Sequence, residues 1–200
     1  MDLRRNVITT TYRNNPLDWK ALVKFLVVFV GIILITFISM IFIKPDFENV
    51  LHELGKQMPH TKNGMNTFIA LFFNNAFRVS LIAFILALIP IPYLYFLNFG
   101  ATAASIGFVY YLLLVLPKVS FLQVMVLTLP HGILETIGLG IVCIALAKIN
   151  RVICRRIYRR KKDVSIKKTI IASFKTYILY AVPILLIAAL IEALITPLLG

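Results

Sequence analysis

Acidic residues are scarce in this chain: eight Asp and Glu stand against twenty-one Lys and Arg in 200 residues. Charged residues of both signs make up only 14%, where a soluble protein carries about 25%. So little charge excludes a disordered chain, a coiled coil and an ordinary soluble enzyme. Cysteine is nearly absent, and Cys143 and Cys154 form no CxxC. They read as a membrane-helix filler and a palmitoylation or neutral position, with no disulfide framework. Gly and Pro, at nine each, are too few for a collagen-like or linker-rich chain. There is no HExxH, no Ser/His/Asp order, no Gly-rich phosphate loop and no Walker pattern. What the chain does have is apolar side chain, at 60%, with a mean hydropathy of +0.91. A domain this small exposes too much surface to hide that from water, so its solvent is lipid. The expected class is all-α: a polytopic integral membrane protein forming one membrane domain over residues 1–200.

The apolar runs set the spans. Residues 1–20 are polar and carry both signs, as a segment on the membrane's inner side. Ala21 to Ile43 is an apolar run of 23 residues. It reaches about 35 Å as a helix, enough to cross a bilayer core with some tilt. Residues 44–66 form a mixed-charge outer loop, within which Phe47 to Met58 has the spacing of an amphipathic surface helix. A second stretch runs from Thr67 to Phe96 and a third from Phe99 to Leu116, with Asn98–Gly100 as the turn of a tight hairpin. The third opens with Gly100, Ala101, Thr102, Ala103, Ala104, Ser105 and Gly107, residues small enough to let helix backbones approach. Val119 to Leu129 is apolar but too short to cross before Pro130, and reads as a re-entrant or interfacial segment. The fourth span starts at His131 and covers Ile133 to Ala147. The fifth runs from Tyr177 to Thr196, kinked at Pro183. The expectation is five transmembrane helices plus the re-entrant segment.

Positive charge orients them. With the N-terminus inside, five crossings put sixteen Lys and Arg on the inner side and four (Lys44, Lys56, Lys62 and Lys118) outside. Most of the inner charge lies in a basic loop at residues 150–175. Arg151, Arg155, Arg156, Arg159, Arg160, Lys161 and Lys162 there are candidate contacts for anionic lipid headgroups. No nucleic-acid-binding motif accompanies them.

Six polar residues sit within or at the edges of the spans, where a charge costs about 2.5–3.5 kcal/mol even on the lenient insertion scale. Asn74, Asn75 and Arg78 fall in the second stretch, with Asn74 and Arg78 four apart on one helix face. His131 and Glu135 share a face of the fourth span, and Glu192 lies in the fifth. The span limits put all of them in the outer leaflet, where Arg78 is expected to pair with Glu135 or Glu192. A polar cavity and a metal or catalytic site are the competing readings, since His-x-x-x-Glu supplies two ligands at helical spacing and Glu192 a third.

An ordered set of residues resembles the stage II sporulation protein M family. It comprises Asn74-Asn75 with Arg78, the Asn98–Gly100 element, Gly107, Leu129-Pro130-His131-Gly132-Ile133-Leu134-Glu135, and Ile191-Glu192-Ala193-Leu194-Ile195-Thr196-Pro197. The resemblance covers residues 67–200. It implies a non-enzymatic component of a complex in the bacterial cell membrane, with no cofactor and no catalytic residue. The implied roles are envelope remodelling, or peptide and bacteriocin maturation, export and immunity. The implied partners are other membrane proteins, such as an ABC transporter or peptidoglycan-remodelling subunits. An intramembrane metal-dependent hydrolase or small transporter using Arg78, His131, Glu135 and Glu192 is the alternative.

Overall fold

The computed structural model describes residues 18–45, 64–115, 121–158 and 165–195, and among them the regular structure is entirely helical. Helix α1 is Trp19–Ile43. The Asp18 carboxylate caps it, accepting from the Ala21 amide at 3.2 Å. Helix α2 covers residues 64–88 in three parts: Gly64–Phe72, a wide π-type segment Phe73–Val79, and Ser80–Leu88. Helix α3 is Phe96–Val115, and helix α4 is Phe121–Tyr158, 38 residues long. Helix α5 covers residues 166–195: Ile166–Thr176, a wide turn Tyr177–Ala181, Val182–Leu190, and a second wide turn Ile191–Ile195. Each of the five contains a stretch long and apolar enough to cross a membrane.

Several expectations are corrected. Residues 121–129 are not a separate re-entrant segment, because α4 runs through Pro130 without a break. Pro130 removes one amide donor, but a helix held by neighbours in lipid keeps its course. At about 57 Å, α4 exceeds the hydrocarbon core by more than 20 Å. Asn98–Gly100 is not a turn; it is part of the first turns of α3, and the connection from α2 is the longer 89–95. The described parts of the basic stretch 150–175 are mostly helix, the end of α4 and the start of α5, not a loop. The fifth helix thus begins eleven residues before Tyr177. The wide turn Tyr177–Ala181 lies just ahead of Pro183, whose ring crowds the carbonyl four residues back. The surface helix expected at Phe47–Met58, the loop residues up to 63, the first 17 residues and Arg159 to Lys162 lie outside the described residues.

Contacts give the order of the bundle. Phe25 packs edge-on against Phe99, with ring centroids 5.7 Å apart, and Ile33 lies against Gly107, so α1 and α3 run parallel. A Cβ at Gly107 would strike the Ile33 backbone, so glycine sets this close approach. Against α4 the fifth helix is antiparallel: Ser173 meets Ala145, Leu185 meets Gly138, and Glu192 meets His131. The end of α2 meets Asn150 near the end of α4, so these two run together. The directions therefore alternate along the chain. Lys20, Lys24, Lys148, Arg151, Arg155, Arg156, Lys167, Lys168 and Lys175 gather toward one end of the bundle, and Lys44 lies at the other.

The central element is α4, which touches all four other helices. Of its most apolar stretch 56% is buried, against 6% for α1. Lipid offers no hydrophobic drive between helices, so close approach of small residues has to hold them. Ala76, Ala83 and Ala87 of α2 and Ala181, Ala188 and Ala189 of α5 are buried accordingly. One polar side chain adds a clamp. Asn150, 4% exposed, points its amide at the carbonyls of Ala87, Ile89 and Ile91, at 3.1, 2.9 and 3.2 Å. The Ala87 carbonyl is one freed where α2 ends, while those of Ile89 and Ile91 also accept the Ile91 and Leu94 amides. Replacing Asn150 with Leu should strand the Ala87 carbonyl, leave the other two one donor short, and cost about 1–3 kcal/mol. Thermal unfolding in detergent should show that loss, and an unchanged transition would mean that water already serves those groups.

Candidate functional site

The six intramembrane polar residues divide into two groups. The first joins α4 to the last turns of α5. His131 is 8% exposed, and its Nε2 lies 3.9 Å from Glu192 Oε2. Glu135 stands one turn further along α4, half-buried, and its carboxylate interacts electrostatically with that of Glu192. The imidazole Nδ1 is buried and lacks a hydrogen-bond partner. His131 thus meets Glu192 with Glu135 close by, where the sequence leads one to expect Arg78 as the partner of Glu135 or Glu192. At 3.9 Å the imidazole and carboxylate lie in ion-pair range and beyond hydrogen-bond reach, and Nδ1 has capacity for one further hydrogen bond. Among the described residues, no three His, Cys, Asp or Glu side chains are disposed to hold one metal ion.

The second group lies on the wide segment of α2. Asn74 donates to Asn75 Oδ1 at 2.9 Å, and Arg78 Nη1 donates to Asn74 Oδ1 at 3.5 Å. Asn74 and Arg78 are exposed. Among the described residues no carboxylate lies within ion-pair distance of Arg78, so the expected pair with Glu135 or Glu192 does not form. Register is the reason. The part of α2 that meets the Ile191–Ile195 turn is Gly64–Phe72, and Arg78 is past it toward the middle of the helix.

The carbonyls of the wide segment bond the amide five residues on and can accept a second donor. Three side chains reach them. Ser80 Oγ donates to the Asn75 carbonyl at 3.4 Å, the Tyr177 hydroxyl to Ala76 at 2.5 Å, and the Asn98 amide to Val79 at 2.9 Å. Ser173 Oγ likewise donates to the Ala145 carbonyl at 2.9 Å. Asn98, Asn150, Ser173 and Tyr177 are the residues that sequence reasoning missed. Asn98 beside Gly100 mimics turn chemistry, and Asn150 is masked by the arginines that follow it. A lone amide flanked by Ile149 and a basic run was the available signal for Asn150.

Of the basic residues, Arg155 and Arg156 stand exposed on the last turns of α4. Arg156 and Lys167 border an open groove of about 490 Å³ floored by Ile166, Ile170 and Ile171.

Five alternating helices with polar groups facing their interior and one lipid-exposed arginine define a polytopic helical membrane protein. The stage II sporulation protein M family matches residues 21–197, every described helix but the first residues of α1, and the chain belongs to that family. No curated protein and no solved structure matches it.

The His131–Glu192 contact yields a thermodynamic prediction. His131→Leu and Glu192→Leu should each lower stability in detergent, since the first strands a half-buried carboxylate and the second a buried imidazole. The double variant should recover part of the loss, with a coupling of about 0.5–3 kcal/mol. Simple additivity would show that the two side chains act independently.

Proposed function

We propose that this chain is a non-enzymatic subunit of a complex in the bacterial cell membrane, acting in envelope remodelling or in peptide maturation, export and self-protection. One observation carries the reading. Among the described residues, four of the five buried polar side chains, Ser80, Asn150, Ser173 and Thr176, donate to backbone carbonyls, and half-buried Asn98 and Tyr177 do the same between helices. Such bonds fix a rigid helical frame and leave little free chemistry. Family membership supports the same reading. The partners that fit it are membrane proteins such as an ABC transporter or peptidoglycan-remodelling subunits. The anionic headgroups of the inner leaflet would sit against the basic end. One observation favours the alternative of a hydrolase or transporter, namely the partnerless Nδ1 of His131.

Gentle extraction from native membranes tests the choice. The subunit reading expects stoichiometric membrane-protein partners, and it expects His131→Ala and Glu135→Gln to affect recovery of the complex only as far as they affect folding. A protein recovered alone, whose His131→Ala form folds normally yet loses a hydrolytic or transport activity, would contradict it.

The same reading places the basic end in the cytoplasm. Single cysteines at positions 20, 156 and 167 should be labelled only from the cytoplasmic side of intact cells, and one at position 44 only from outside. Labelling of 44 and 156 from the same side would remove the alternating order.

A further inference from the structure

From the position of Arg78 we infer that the exposed face of α2 around Asn74 and Arg78 is a docking surface for a transmembrane helix of another protein that carries an Asp or Glu at mid-membrane depth. The inference rests on the subunit reading and adds where, and by what chemistry, a partner binds.

Depth is the first argument. Arg78 lies ten residues from Leu88 and fourteen from Gly64, or about 15 and 21 Å along a helix. The Leu88 end is fixed at the basic rim of the bundle, because Asn150, between Lys148 and Arg151, bonds the carbonyls of Ala87, Ile89 and Ile91. Arg78 is therefore deep in the hydrocarbon layer, further from either edge than its side chain extends.

Exposure is the second. Ala76, Ala83 and Ala87 turn inward and are buried. Phe73, Phe77, Leu81 and Ile85 are exposed and share the outer surface with Asn74 and Arg78. A guanidinium has five N–H donors and does not lose its proton at any ordinary pH. The structure gives it one acceptor, Asn74 Oδ1, which is itself held by the Asn74–Asn75 bond. In lipid the remaining donors have no acceptor. The arrangement is a cation set in place and left open outward, flanked by the stacked rings of Phe73 and Phe77, 5.2 Å apart.

Charge complementarity then selects the occupant. It has to bring an acceptor-rich anion into the bilayer core, and a carboxylate on a helix does so with bidentate geometry. Among the described residues, a second copy of this chain presents none at the depth of Arg78. Its acids among those residues are Asp18 at the start of α1, and half-buried Glu135 and Glu192, of which Glu192 meets His131 at the level of Gly64–Phe72, short of Arg78 along α2.

Replacing Phe77 with the photo-crosslinker benzoylphenylalanine in the full chain, in native membranes, tests this directly. The expected product is a discrete adduct to another membrane protein, mapping to an apolar segment that contains Asp or Glu. The same label at Val27, on the lipid-exposed face of α1, should give none. Arg78→Leu should cut recovery of that protein at least tenfold while leaving thermal stability in detergent unchanged or raised. Arg78→Lys should keep part of the recovery, and exchanging the partner's acid for Arg against Arg78→Glu should restore it. Adducts to lipid alone, an adduct to a second copy, or undiminished recovery with Arg78→Leu would each overturn the docking surface. Partners retained by Arg78→Leu would leave the subunit reading standing, whereas a wild-type chain that recovers no partner would remove both.

Discussion

A backbone carbonyl inside a bilayer has no water to turn to, so each one released from its helix must find a donor within the protein. That constraint governs this bundle. Its helices are distorted at three wide segments, at Phe73–Val79, Tyr177–Ala181 and Ile191–Ile195, and α2 ends in an open connection. At Phe73–Val79 side chains from neighbouring elements add second donors to the carbonyls, and at the end of α2 one supplies the donor that Ala87 lacks. Tyr177 of α5 and Asn98 of α3 serve the first wide segment, and Asn150 of α4 closes the end of α2. Each bond ties two helices together at the point where one of them departs from regular geometry.

These ties converge on one long central helix. The glycines of α4 let its neighbours come close: a side chain at Gly138 would collide with Leu185, and one at Gly140 with Leu22 and Phe25. Asn150 and His131 then bind α4 to α2 and α5 near its two ends. The remaining polar group, Arg78, is turned outward from this frame. The interior is thus largely closed by mutual satisfaction, His131 Nδ1 apart, while Arg78 faces outward with most of its donors unused.

Much of the fold was legible from hydropathy. The number of crossings follows from long apolar runs, and the grouping of basic residues at one end follows from Lys and Arg spacing. The close approach at Gly107 was readable from the small residues opening α3. The register between helices was not. His131, Glu135 and Glu192 come together because α4 and α5 are antiparallel neighbours, which sequence order suggests. Arg78 does not join them, because its depth depends on where α2 starts and on the 89–95 connection, and neither is marked by composition. Pro130 misled in the other direction. In water it would end a helix, but within a packed membrane bundle α4 continues through it.

The central claim is that α4 is one unbroken helix on which the other four hang. Spin labels at positions 122 and 156 in the bilayer-reconstituted protein measure this most directly. A continuous helix places these positions about 51 Å apart, and the account predicts a single narrow distance distribution near that value. A population below about 35 Å, as a re-entrant segment folding back at Pro130 would produce within a core about 30 Å thick, would contradict it.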